Sequence, residues 1–73
     1  MNKLGQIVYI LSNGYIVEEA IIIRISSGFY TLKFTQRSGA IKLKGHRLYK
    51  TKSQAQLASK LNSDFYSQRN TVV

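Results

Sequence analysis

Four glycines, Gly14, Gly28, Gly39 and Gly45, cut most of this chain into short pieces. The first three close a polar segment and Gly45 opens one, and the pieces between them are β-branched, aromatic or alternating. That punctuation favours short strands joined by tight turns, because Asn-Gly and Ser-Gly pairs accept the positive φ that hairpins need. Strand one is expected from Gln6 to Leu11, with Ser12-Asn13-Gly14 as its turn. A long, bent strand follows from Tyr15 to Ile25. Its alternation puts Val17, Ile21, Ile23 and Ile25 on a core face and Glu18, Ala20, Ile22 and Arg24 on the outer one, with Glu19 the exception.

After Ser26-Ser27-Gly28, Tyr30, Leu32 and Phe34 alternate with Phe29, Thr31 and Lys33, which defines strand three. Thr35 to Gly39 reads as a hairpin loop, and Ala40 to Lys44 as strand four, with Ile41 and Leu43 set against Lys42 and Lys44. Gly45-His46-Arg47 is a short turn, and Leu48-Tyr49-Lys50 a last short strand or 3₁₀ turn. The period then changes. Thr51-Lys52-Ser53-Gln54 fits a capping box, so a helix is expected from Lys52 to about Leu61, burying Leu57, Ala58 and Leu61.

The chain has 73 residues and neither cysteine nor proline, so no disulfide or thiolate metal site supports the fold and one packed apolar core must do so. This organisation predicts a mainly β domain over residues 1–61: a small SH3-like antiparallel barrel of four to five strands with a short C-terminal α-helix. A three-stranded sheet with the helix across one face is the rival. Residues 62–73 are expected to form a flexible tail, from which Phe65 can still touch the core. The longest apolar stretch, Ala20 to Ile23, is too short to span a bilayer, and Met1 to Gly5 lead into no apolar secretion signal. A cytoplasmic protein without a membrane partner is expected.

Several strings together carry a resemblance: Gly5-Gln6-Ile7-Val8-Tyr9-Ile10, the Asn13-Gly14 turn, Gly28 to Phe34, Ile41-Lys42-Leu43, Arg47-Leu48-Tyr49 and Thr51-Lys52-Ser53-Gln54-Ala55. From Gly5 to about Leu61 the chain resembles a group of short SH3-like barrel proteins of Gram-positive bacteria and their mobile elements. The resemblance implies a barrel with a terminal helix and carries no activity and no binding residues. Gln54 stands where that group often has Glu, which keeps the capping hydrogen bond and removes a negative charge.

Charge is the main functional signal. Eleven Lys and Arg against three acids give a formal net charge of +8, which points to a polyanionic or acidic partner. No Asp or Glu lies between Ala20 and Ser63, where Arg24, Lys33, Arg37, Lys42, Lys44, Arg47, Lys50, Lys52 and Lys60 all fall. Hairpin parity permits Phe34 opposite Ile41, Lys33 opposite Lys42 and Thr31 opposite Lys44. Pairing Ile25 with Tyr30 then sets Arg24 opposite Thr31 and Ile22 opposite Lys33. Arg24, Lys33, Lys42 and Lys44 are thereby expected to form one outer patch, with Arg37 at the adjoining loop tip and Phe29, together with Tyr15, available to stack a base.

Nucleic acid, DNA or RNA, is the leading partner. The alternative is an acidic protein or a second copy of the chain, for which an uncovered Ile22 would be the anchor. The plainest reading is that the lysines keep an exposed sheet soluble. Catalysis has little material: Glu18, Glu19, Asp64 and His46 are all the acids and imidazole present, and no phosphate-binding glycine loop or nucleophile motif occurs. No catalytic residue, metal or cofactor is expected. His46 is read as a turn residue, and Glu18 and Glu19 as partners of neighbouring cations.

Overall fold

The computed structural model describes residues 2–61, so the expected tail, with Phe65, lies outside the described residues. Four antiparallel strands, β1 (Ile7–Ser12), β2 (Ile16–Ser26), β3 (Phe29–Phe34) and β4 (Ala40–Lys44), form one sheet in sequence order. A 3₁₀ turn, Gly45–Arg47, follows, and a helix, α1, covers residues 52–61.

The turns are built as the sequence predicts. Asn13 and Gly14 have φ of 55° and 83°, and Ser27 and Gly28 have 52° and 82°. Paired left-handed residues match the twist of the strands they join. The sheet stays open, with β4 at one edge. At the other edge Tyr9 and Tyr49 exchange two backbone hydrogen bonds, each 2.8 Å, so the chain returns after the 3₁₀ turn to bridge β1.

One face of the sheet carries the core: Val8, Ile10, Ala20, Ile22, Leu32 and Phe34 are buried together, with Tyr30, Ile41, Leu43 and Leu48 packed against them. This corrects the expected parity of β2. Ile22 is 1% exposed, while Ile23 and Ile25 lie exposed. The cause is a β-bulge: Ile22 pairs with Leu32 and Arg24 with Thr31, leaving Ile23 without a register partner. An inserted residue reverses the alternation beyond it. The inward set therefore changes from Ala20 and Ile22 before the bulge to the side of Ile25 after it, and Arg24 keeps its outward place.

Capping of α1 follows the expected chemistry with a one-residue difference. The Gln54 backbone N–H donates to Thr51 Oγ1 at 3.1 Å, and Gln54 Oε1 accepts from the Lys50 N–H at 3.3 Å, one residue before the cap. The buried stripe differs. Ala55 is fully buried and Ala58 and Ser59 are half-buried, whereas Leu57 and Leu61 are exposed. The Ser59 hydroxyl donates to the Tyr15 carbonyl, which ties this small-residue side of α1 to the β1–β2 turn and turns the two leucines away.

Candidate nucleic-acid interface

The outer face of β2, β3 and β4 is read in rungs. Ser26, Phe29 and Lys44 form the first, Arg24, Thr31 and Lys42 the second, and Ile21, Lys33 and Ala40 the third. Arg24 and Lys42 thus stand two strand spacings apart, roughly 10 Å between backbones, with only the Thr31 side chain between them. Arg24, Lys33, Lys42 and Lys44 are all exposed. Lys42 and Lys44 also reach toward Phe29, their Nζ atoms 5.4 and 5.6 Å from its ring centroid. Between β2 and β4 lies an open hollow of about 440 Å³, lined by Arg24, Ser26, Thr31, Ala40, Ile41 and Lys42.

The register of β3 and β4 differs from the expected one by a step of two residues. Lys33 faces Ala40, Thr31 faces Lys42 and Phe29 faces Lys44, so the expected opposition of Lys33 and Lys42 does not occur. Like charges directly across a ladder destabilise it, and this register avoids them. Lys33 lies opposite Ile21 on its other side, in place of Ile22. The step of two preserves parity, which is why Arg24, Lys33, Lys42 and Lys44 still share one face.

Arg37 does not join them. Its guanidinium lies 3.9 Å from the Phe34 ring centroid, and its Nε and Nη2 donate to the two carboxylate oxygens of Glu18 at 2.6 and 3.0 Å. Phe34 pairs with Ala20, so Arg37 sits on the rim of the core-bearing side. Tyr15 is exposed in the β1–β2 turn and is likewise not on the basic rungs.

The two side-chain carboxylates of the described residues lie on β2 before the bulge, Glu18 on the core-bearing side with Ala20 and Ile22, and Glu19 on the outer side in the rung next to Ile21 and Lys33. Glu18 is held down to about 2 from its ordinary 4.5, first by the hydrogen bonds from Arg37 and then by that from the Ser12 hydroxyl. Glu19 is also lowered, chiefly by Thr35, whose Oγ1 donates to Glu19 Oε1 at 2.6 Å. Tyr9 donates to Glu19 at 3.2 Å, and its hydroxyl is raised by desolvation and by that carboxylate. The acids are thereby ionised, internally bonded and two rungs removed from Arg24. Glu19 is thus the one described carboxylate on the outer face, beside the Lys33 rung and already bonded to Thr35 and Tyr9.

Among the described residues no three His, Cys, Asp or Glu side chains gather in a group able to hold a metal ion, and no helix is long and apolar enough to cross a membrane. His46 lies exposed in the 3₁₀ turn. Compared with known proteins, the chain matches no family model, no curated protein and no solved structure.

Proposed function

We propose that this chain is a small, non-enzymatic, cytoplasmic binding module that holds nucleic acid electrostatically across the outer face of β2, β3 and β4. The observation that carries the reading is the Arg24–Thr31–Lys42 rung, with Lys44 one rung along and Lys33 on the other side. Four cations project from one side of the ladder, Glu18 is engaged with Arg37 on the other side, and Glu19, one rung from Lys33, is already bonded to Thr35 and Tyr9. Such a face neutralises phosphates and releases their counterions, giving affinity that falls steeply with salt and reads sequence weakly.

The architecture behind this face is, in our reading, an SH3-like barrel. The bulged β2, the 3₁₀ turn after β4 and the return of Tyr49 onto β1 support a fifth, very short strand in the order 5-1-2-3-4. The likeness to short barrel proteins of Gram-positive bacteria and their mobile elements fits the same scheme.

The test is a titration of labelled single- and double-stranded oligonucleotides at low and moderate salt, comparing wild type with Arg24→Glu/Lys42→Glu. Loss of binding in the double reversal is expected. Absence of binding at low salt, or binding indifferent to the reversal, removes the reading. A second reading, association with an acidic protein or a second copy, is favoured by the exposed Ile23 and Ile25 at the bulge. A dimer mass in solution that Ile23→Ser/Ile25→Ser abolishes would promote it.

A further inference from the structure

Phe29 does not serve the core. It is half-buried at the first position of β3, outside the buried cluster and its flanking residues. Its neighbours across the rung are Ser26 and Lys44, and two ammonium groups approach its ring, Lys42 Nζ at 5.4 Å and Lys44 Nζ at 5.6 Å. Phosphate neutralisation has no use for a benzene ring. A π-face surrounded by cations suits an unstacked nucleobase, whose flanking phosphates meet the cations while the base lies on the ring.

The geometry of the face points the same way. The face spans two strand spacings, roughly 10 Å between the β2 and β4 backbones, and in a duplex the bases are stacked on one another, so no base plane is offered to a ring lying on a sheet. On a duplex Phe29 contacts nothing it can stack on. Beside the ring, the hollow of about 440 Å³ presents Ser26 and Thr31 between Arg24 and Lys42. Hydroxyls and cations in a shallow depression suit the polar edge of a splayed base or the next phosphate.

We infer that the basic face takes single-stranded nucleic acid, with one base stacked on Phe29 and the neighbouring phosphates held by Lys42, Lys44 and Arg24. The inference rests on the proposed nucleic-acid function and narrows its ligand.

The experiment is fluorescence anisotropy with labelled oligothymidine and oligouridine of about twelve nucleotides, within the span of known single-strand sites. The comparison ligands are an abasic oligomer of equal length and a duplex of equal phosphate number. The expected result is tighter binding of both base-bearing single strands than of the abasic oligomer and the duplex. Phe29→Leu should lose about 5- to 100-fold for the single strands and leave the duplex unchanged. Phe29→Trp should retain binding and show quenched fluorescence on addition of oligomer, a clean signal because the chain has no other tryptophan. If Phe29→Leu does not fold, the abasic comparison and the Phe29→Trp quenching decide.

Equal affinity for base-bearing and abasic oligomers, or a Phe29→Trp signal that does not change on binding, overturns the inference. If the Arg24→Glu/Lys42→Glu reversal still abolishes binding in that case, the electrostatic reading survives alone. No binding of any oligomer at low salt removes both.

Discussion

Arg37 reaches from the loop after β3 to Glu18 on β2 and binds both of its carboxylate oxygens, while its guanidinium plane covers the Phe34 ring. One side chain thereby closes the rim of the core and pins the β3–β4 loop. Glu18 is only 18% exposed and Arg37 is 54% exposed, so solvent screens much of the attraction. Arg37→Ala should lower the urea midpoint only modestly at neutral pH, as the loss of a solvent-screened surface pair does.

The same pair sets an acid dependence. Glu18 titrates near 2 when folded against 4.5 ordinarily, so its contribution is fully present above about pH 5 and is lost as pH falls toward 2. Glu19 is lowered as well and acts in the same direction. Urea midpoints of the wild type should therefore fall on the acid side. In Arg37→Ala the fall should be shallower yet not absent, since Ser12 still bonds Glu18 and Thr35 still bonds Glu19. Superimposable acid limbs would show that Arg37 does not hold Glu18 ionised.

Gly45 meets the Tyr30 ring closely. A Cβ built at position 45 lies 3.0 Å from Tyr30 Cε1, and Tyr30 packs against the buried cluster, so the ring cannot simply swing away. Gly45→Ala should destabilise by about 1–3 kcal/mol, as overpacking does, and Tyr30→Val in the same chain should recover part of the loss. Gly28→Ala offers a contrast: no atom stands within 4 Å of its Cβ and the strain comes only from φ of +82°. Its cost, about 1–2 kcal/mol, should be indifferent to Tyr30. Thermal melts of the single and double variants separate the two mechanisms.

The strands were legible from the sequence because turn chemistry is local: Asn13-Gly14 and Ser27-Gly28 announce themselves within two residues. The inward face of β2 was not. Ile21, Ile22, Ile23 and Ile25 offer no hydrophobic contrast, and the bulge at Ile23 depends on how β3 pairs, which lies outside the segment. The shared face of Arg24, Lys33, Lys42 and Lys44 could be read despite the wrong register, since parity tolerates a step of two. Avoidance of facing Lys33 and Lys42 was the signal that would have chosen the right one. Arg37 was misplaced because nothing local to the loop reveals that Glu18 lies within reach.

The bulge makes neighbouring isoleucines opposite in consequence. Ile22→Ala removes a side chain that is 1% exposed and should cost about 2–5 kcal/mol. Ile23→Ala touches one that is 49% exposed and should stay within about 0.5 kcal/mol. Chemical denaturation of the pair checks the assignment. A costly Ile23→Ala beside a tolerated Ile22→Ala would mean that β2 presents its other face to the core.

The salt dependence of binding reports how many cations of the face are engaged. Each phosphate neutralised on a single strand contributes about −0.7 to the slope of log K against log salt. If Arg24, Lys33, Lys42 and Lys44 each take one phosphate, the slope is about −2.8, and affinity drops roughly 50-fold between about 50 and 200 mM salt. Arg24→Gln/Lys42→Gln removes two of the four without adding repulsion and should bring the slope to about −1.4. Arg37→Gln should leave it unchanged, because Arg37 is committed to Glu18 on the other side of the sheet. Anisotropy titrations at several salt concentrations measure all three slopes. A slope that falls in Arg37→Gln and holds in the double variant would place the contact surface at the acidic end of the molecule, away from the Arg24–Thr31–Lys42 rung.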